Sequence, residues 1–267
     1  VDGLIALLRG LGERPDVACR GEARACFGSL HTSLDRVLEE AGELSGRAGM
    51  RPHAELLAHE GALVERFRQR AAIFLSPAEV VASRTVLGTL QLMRHYGAPT
   101  RLLDWSMSPW VSCYFACEDA VGEDGVIWAM GLDDLLARTA GRRERDRALA
   151  ECERVEEWVA LLATPAREPA LVEPDRANTR MLAQQGLFTM AEGFGVPHDG
   201  LLEAAMPGAR LERVVVPSGL KRPMMALLST MNIGAMSLFP GPDGLGRELH
   251  ENTKWGLRLS PLTPRAG

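Results

Sequence analysis

The chain has no apolar run near the roughly 20 residues that a membrane-spanning helix requires, so no membrane partner is expected. It has no Cys-x-x-Cys pair, and its five cysteines are an odd number. Cys113 and Cys117 stand four apart on an expected helix, a spacing that suits packing better than bridging. Reduced thiols in a cytoplasmic setting are therefore expected. No Gly-x4-Gly-Lys-Ser/Thr phosphate loop is present. Gly241, Gly244 and Gly246 run in the wrong order for a dinucleotide fingerprint, and no Gly-x-Ser-x-Gly elbow occurs. His59-Glu60 and His250-Glu251 each lack the second histidine of a zinc-protease helix. The six histidines are scattered, so no metal site is expected. A basic excess is also missing. A net charge of −5 does not steer a protein broadly to nucleic acid or anionic membranes, so any phosphate site must be a local basic cluster. There is no fixed-period repeat, no low-complexity tract and no basic-then-apolar signal pattern in the first residues.

What is there fits a globular protein: 267 residues, 46% of them hydrophobic, enough for one sizeable core. Leu4, Leu7, Leu8 and Leu11 share a helical face over 2–12, with Asp2 as cap, and a short strand follows at Val17–Arg20. Leu34–Leu44 reads as helix, broken over Gly46–Pro52, and 53–75 as a second helix. Ser76-Pro77-Ala78-Glu79 is a capping box, and the helix it opens is expected to run to His95. Gly125–Met130 follows an Asp-Gly turn as a buried strand, and 132–162 reads as helical. Its Arg138–Arg147 segment alternates arginine with Glu144 and Asp146, the mark of a solvated face more than of a nucleic-acid patch. Thr164–Asp175, with three prolines, reads as an irregular connection. Asn178–Gln185 reads as a helical turn into a strand at Leu187–Met190, and Arg210–Pro217 as the clearest strand. A helix spans Leu220–Met231, an apolar run Gly234–Phe239 and a loop Pro240–Gly246, with helix from Arg247 on. Short, separated strands among long helices in irregular order argue for an α+β fold.

The chain is organised around Gln91–Asp119. A turn at Gly97, Ala98 and Pro99 leads into the polar residues Thr100, Arg101, Asp104, Ser106 and Ser108, read as a loop. Ser108 as N-cap and Pro109 as first helical residue then open a half-apolar helix. A polar loop held by a buried helix is a common way to build a site.

These segments resemble the FRG domain family, named for a short Phe/Tyr-Arg-Gly motif. Arg20-Gly21-Glu22 matches that motif, with Cys19 where the family has an aromatic residue. Leu30–Arg36 resembles the next segment, and Gln91–Ala116 matches the family's long central block. Arg180–Thr189 and Leu238–Leu245 match its C-terminal blocks. The resemblance implies a single FRG-like domain over 1–267, with helical segments 33–95 and 132–162 inserted around a small sheet. The order of parts is also similar, more weakly, to ADP-ribosyltransferase-like folds. Those carry an early strand with arginine, a Ser/Thr segment feeding a helix and a late acidic or glutamine-bearing strand. Arg20, Thr100 and Gln185 fall in that order.

That similarity implies a small mixed or antiparallel sheet and an enzyme using NAD as substrate, by ADP-ribosyl transfer or by glycohydrolysis. In a bacterial setting such an enzyme would be a toxin or a defence effector, with a macromolecular acceptor or an antitoxin as partner. Arg20 and Arg101 would fork onto the pyrophosphate. Asp104 or Asp243 would face the oxocarbenium-like centre. Tyr96, Trp105 or Phe188 would stack on a ring. Thr100 and Gln185 complete the candidate set. Plainer roles stay open. Arg20 or Arg101 can pair internally with Asp104, Thr100 can bond local backbone, and Asp243 in Pro-Asp-Gly can be a turn residue. Two further functions stay open as well: a non-catalytic module binding a nucleotide, nucleic acid or protein, and a phosphodiester hydrolase using His95, Arg101 and Asp104.

Overall fold

The structure, a computed structural model, describes residues 1–25, 28–44, 50–174, 179–205 and 211–256. Gly46, Asp175, Asn178 and Arg210, which bound four of the segments read from the sequence, lie outside the described residues.

In chain order, α1 (Asp2–Gly12) leads to β1 (Val17–Glu22), α2 (Ser33–Glu40), α3 (His53–Ala71), α4 (Pro77–Ala82) and α5 (Val86–His95). Then come β2 (Leu102–Ser106), α6 (Pro109–Cys117), β3 (Gly125–Gly131), α7 (Leu132–Arg138), α8 (Arg143–Glu151) and α9 (Val155–Leu162). The last third holds β4 (Ala170–Val172), α10 (Thr179–Ala183), β5 (Gly186–Met190), α11 (His198–Ala205), β6 (Glu212–Val216), α12 (Ser218–Thr230), α13 (Ala235–Leu238) and α14 (Pro242–Trp255). The described strands form one six-stranded sheet in the order β4-β5-β2-β1-β3-β6. Every neighbouring pair is antiparallel. The fold is α+β.

Several local readings change. The capping box at Ser76 and Glu79 is present, but its helix ends at Ala82. Thr85 opens a separate helix by accepting from the Gly88 amide. The central polar segment is a strand. Leu103 and Trp105 point to one face and Leu102, Asp104 and Ser106 to the other, so the polar residues that suggested a loop are one side of an alternation. Val1, rather than Asp2, stands at the N-cap of α1. A short strand, β4, lies within the proline-rich connection. The apolar run ending at Phe239 contains the four-residue helix α13, and α14 starts at Pro242, so Asp243 sits in a first helical turn.

One sheet face carries two apolar clusters. Val17, Cys19, Ile127 and Val216 pack under α1, α6, α12 and α14. Leu102, Phe188, Met190 and Val172 pack under α3, α5 and α9. The opposite face buries Ala18, Leu103, Trp105, Trp128 and Leu187 beneath α7 and α11. Helix α6 lies almost on the backbone of β1 and β3. A Cβ on Gly21 would stand 1.8 Å from the Ser112 carbonyl oxygen, and one on Gly125 would stand 2.2 Å from that of Ala116. The glycine of the Arg-Gly pair is thus required by a close approach.

Arg101 is a framework residue. Its guanidinium pairs with Glu60 at 2.6 Å, both side chains being 2% exposed. It also donates to the carbonyls of Ala191 and Glu192 and lies over the Phe194 ring. The other Glu60 oxygen accepts from the Trp158 indole. Lys221, fully buried, donates to the carbonyls of Ala23, Asp119 and Ala120 and so ties α12 to the ends of β1 and α6. Breaking a buried pair from one side leaves a charge without compensation, whereas removing both partners does not. Glu60→Ala is therefore expected to cost about 3–5 kcal/mol in urea unfolding. Glu60→Leu combined with Arg101→Met should recover most of that loss. Equal losses in the two proteins would show that the pair is not coupled.

Candidate functional site

β1 and β2 pair at one position only, Cys19 with Ser106. Beyond it the strands part. The Arg20 guanidinium enters the gap and donates to the Asp104 carbonyl at 2.9 Å, where a ladder amide would otherwise sit. Arg20 also pairs with Glu22 at 3.2 Å and stands 3.6 Å from an Asp104 carboxylate oxygen. Arg94, in the last turn of α5, grips that carboxylate from above through Nε, at 2.8 and 3.2 Å, and through Nη2.

Around this clasp is a cavity of about 240 Å³, on the seam where the two apolar clusters separate. Cys19, Arg20, Asp104, Ser106 and Phe188 contribute from the sheet. Gln91, Arg94 and His95 come from α5, and Ser112 and Phe115 from α6, with Glu118 just past its end. Arg180, Met181 and Gln184 close one side, and Phe239 and Arg247 another. A second hollow of about 310 Å³, lined by Tyr96, Gly97, Pro240 and Asp243, shares His95, Arg180, Phe239 and Arg247 with the first.

The electrostatics are uneven. Burial works to raise the Asp104 carboxyl. The charge and hydrogen bonds of Arg94, with Arg20 and Arg180, outweigh it and hold the group below the ordinary carboxylate range. The charge of Asp104 in turn raises Arg94. Arg180 donates to the His95 carbonyl at 3.0 Å. Burial lowers its affinity for its proton, Asp104 opposes this, and the neighbouring guanidiniums Arg247 and Arg94 add to it. Arg180 and Arg247 both lie over the Phe239 ring, each 4.3 Å from its centroid. Glu118 behaves oppositely to Asp104. Burial first, then the negative charge of Glu251, push it from 4.5 up to about 7, against Arg247. The Tyr114 hydroxyl beside it donates to Glu251. One carboxylate is thus kept ionised and one is poised near neutrality.

The expected site residues divide. Arg20, Asp104 and Phe188 meet at the cavity, and Trp105 reaches its wall. The Trp105 indole, however, is buried in the cluster on the other sheet face and donates to Thr189, whose hydroxyl meets His198 at 2.9 Å. Tyr96 and Asp243 line the second hollow, where Tyr96 donates to Glu79 and Asp243 accepts from Arg247. Thr100, Arg101 and Gln185 do not join either space. Thr100 is buried against the start of α2, exchanging hydrogen bonds with Ser33. Arg101 belongs to the Glu60 pair. Gln185 is an exposed turn residue at φ 48°, and its carbonyl accepts from Met107. Its neighbour Gln184 faces the cavity instead, donating to the Leu238 carbonyl. Ser108 caps α6 by accepting from the Val111 amide at 3.4 Å, outside the cavity wall. Sequence reasoning left out Arg94, Glu118, Arg180, Phe239 and Arg247 as site residues. The first four lie inside the segments it singled out, Gln91–Asp119, Arg180–Thr189 and Leu238–Leu245, so those blocks were the available signal.

Residues 16–125 match the family model of the FRG domain. Over those residues the chain is similar to the FRG domain. That stretch runs from β1 to the first residue of β3 and includes Arg20, Arg94, Asp104 and Glu118. The other side of the cavity, Arg180, Gln184, Phe239 and Arg247, comes from beyond it. No curated protein and no solved structure matches the chain. No helix among the described residues is long and apolar enough to cross a membrane. Among those residues no three His, Cys, Asp or Glu side chains gather as a metal site. The four described cysteines, Cys19, Cys113, Cys117 and Cys152, are buried free thiols.

A carboxyl raised on folding binds its proton more tightly in the folded state. Its stabilising contribution is complete below the unfolded value and lost as pH rises through the folded one. Compared with Glu118→Gln, the wild type should therefore lose stability between pH 4.5 and about 7. Thermal melts of both proteins across that range check this, and parallel profiles would exclude the raised carboxyl.

Proposed function

We propose that the cavity binds a phosphate-bearing nucleotide and that the protein uses NAD, cleaving the bond between nicotinamide and ribose. The observation that carries this reading is the meeting of Arg94, Arg180 and Arg247 with Asp104 and Glu118 around one cavity. Guanidiniums crowded together under partial burial favour an incoming anion, and their fork geometry suits phosphate oxygens. Arg180 is the best placed for that role, because Arg94 is committed to Asp104 and Arg247 is paired with Asp243. The second hollow extends the space available to an extended ligand. An antiparallel sheet whose early strand brings an arginine to the cavity supports an ADP-ribosyltransferase-like reading of the fold.

The chemistry follows from the two carboxyl groups. When the C1′–N bond breaks, its electron pair leaves with nicotinamide, which becomes neutral, and the ribose ring takes positive charge. An acceptor hydroxyl or water then bonds to C1′ and releases a proton. Glu118, poised near neutrality, suits the uptake of that proton. Asp104, held ionised, adds negative potential but is largely compensated by Arg94 and Arg20. That compensation also favours a second reading, in which the pocket holds the nucleotide without turnover.

Incubation with adenine-labelled NAD, followed by chromatography, tests the reading. Release of nicotinamide is expected, lowered about a hundredfold or more in Glu118→Gln with binding retained. Arg180→Ala should weaken calorimetric binding about ten- to a hundredfold, the range of one charged hydrogen bond. Binding without release would leave the non-catalytic module. Absence of binding to NAD, ADP-ribose and pyrophosphate alike would remove both.

A further inference from the structure

The end of α3 and the turn that follows it expose Ile73 at 83% and Phe74 at 78%, and Val81 follows on α4 at 56%. Beside them is a shallow groove of about 350 Å³, walled by Leu63, Phe67, Phe74, Met93, Ala98 and Pro99. Its charged lining residues are Arg66 and Arg70, one helical turn apart and both exposed. They differ from Arg68 on the same helix. Arg68 is consumed internally by Glu65, Thr89 and the carbonyls of Arg84 and Glu153. Among the described residues neither Arg66 nor Arg70 takes part in an ion pair. An apolar floor with two uncompensated guanidiniums stands out on a chain of net charge −5.

We infer that this groove is a docking site for an acidic peptide segment that presents large apolar side chains on one face. The apolar wall takes the anchors and the two arginines select the sign of the flanking charge. A second copy of the chain fits poorly, since a two-fold contact would bring two identical arginine-lined grooves together. The site has a functional address. Ala98 and Pro99 line the groove, while the preceding His95, Tyr96 and Gly97 line the second hollow. The rings of Phe67 and Tyr96 lie 6.4 Å apart across that boundary. A segment seated in the groove therefore lies beside the second hollow, where it can present a group to it or obstruct it. The inference rests on the surface alone and stands whether or not the cavity acts on NAD.

Fluorescence anisotropy of the full chain provides the test. The probe is a labelled amphipathic peptide of about 18 residues, with leucine and phenylalanine at i, i+3, i+4 and i+7 and glutamate elsewhere. The control carries lysine for every glutamate. At about 0.15 M salt the acidic peptide should bind about tenfold or more tightly than the lysine form. Phe74→Ser should weaken it about tenfold. The combined change Arg66→Glu and Arg70→Glu should reverse the preference. Both variants should keep the wild-type melting temperature, because these side chains are exposed. Equal affinity for the two peptides, no binding up to about 1 mM, or indifference to both substitutions would overturn the inference. So would binding to phosphatidylserine vesicles in place of the peptide, or Phe74-dependent dimerisation in sedimentation.

Discussion

The interaction on which the site depends is the hydrogen bond from Arg20 to the main-chain carbonyl of Asp104. Two neighbouring strands of a sheet ordinarily satisfy each other's backbone groups along their length. Here β1 and β2 do so at Cys19 and Ser106 and then separate, and a guanidinium takes over. A buried carbonyl left bare would cost more than the bond itself contributes, so a long side chain with several donors stabilises the opening. The opening keeps the apolar clusters on that face from merging and leaves polar groups at their seam.

Charge then differentiates the seam. Asp104 meets Arg94 at close range and Arg20 at its back, so its ionisation is secured at the expense of its field. Glu118 stands at the end of α6 near Glu251, with Arg247 as its opposing charge, and holds its proton toward neutrality. Two acidic groups in one cavity are thereby pushed apart in titration, the arrangement that separates an electrostatic role from a proton-transfer role. On the other wall Arg180 and Arg247 share the Phe239 ring, and their mutual repulsion is relieved only partly by Asp104 and Asp243.

Much of the architecture could be read from local pattern. The apolar spacing in α1 and α3, the Ser76–Glu79 box, Pro109 behind Ser108 and the Gly-Val-Ile-Trp-Ala-Met run each depend on neighbours within a few residues. β2 was hidden because Asp104 and Ser106 are polar for the sake of the cavity, which breaks the expectation that a central strand is apolar on both faces. The long helix expected from Ser76 to His95 divides because Thr85 supplies a second cap in the middle of a continuous apolar pattern. At the site, Arg20 and Asp104 were legible as chemistry-bearing residues. Thr100, Arg101 and Gln185 looked the same by composition and sit elsewhere, as a helix anchor, a buried ion pair and a turn.

The sequence by itself determined the class of fold, the resemblance to the FRG domain and the blocks from which the cavity is drawn, because short-range periodicity, capping and motif order are properties of the chain as written. Only the tertiary structure decided which arginine meets which carboxylate. Arg94 and Asp104 are ten residues apart, Tyr114 and Glu251 are 137 apart, and both contacts depend on how helices pack over the sheet. Charge pairing inside a protein is set by distance and burial, and neither is encoded in the spacing of letters.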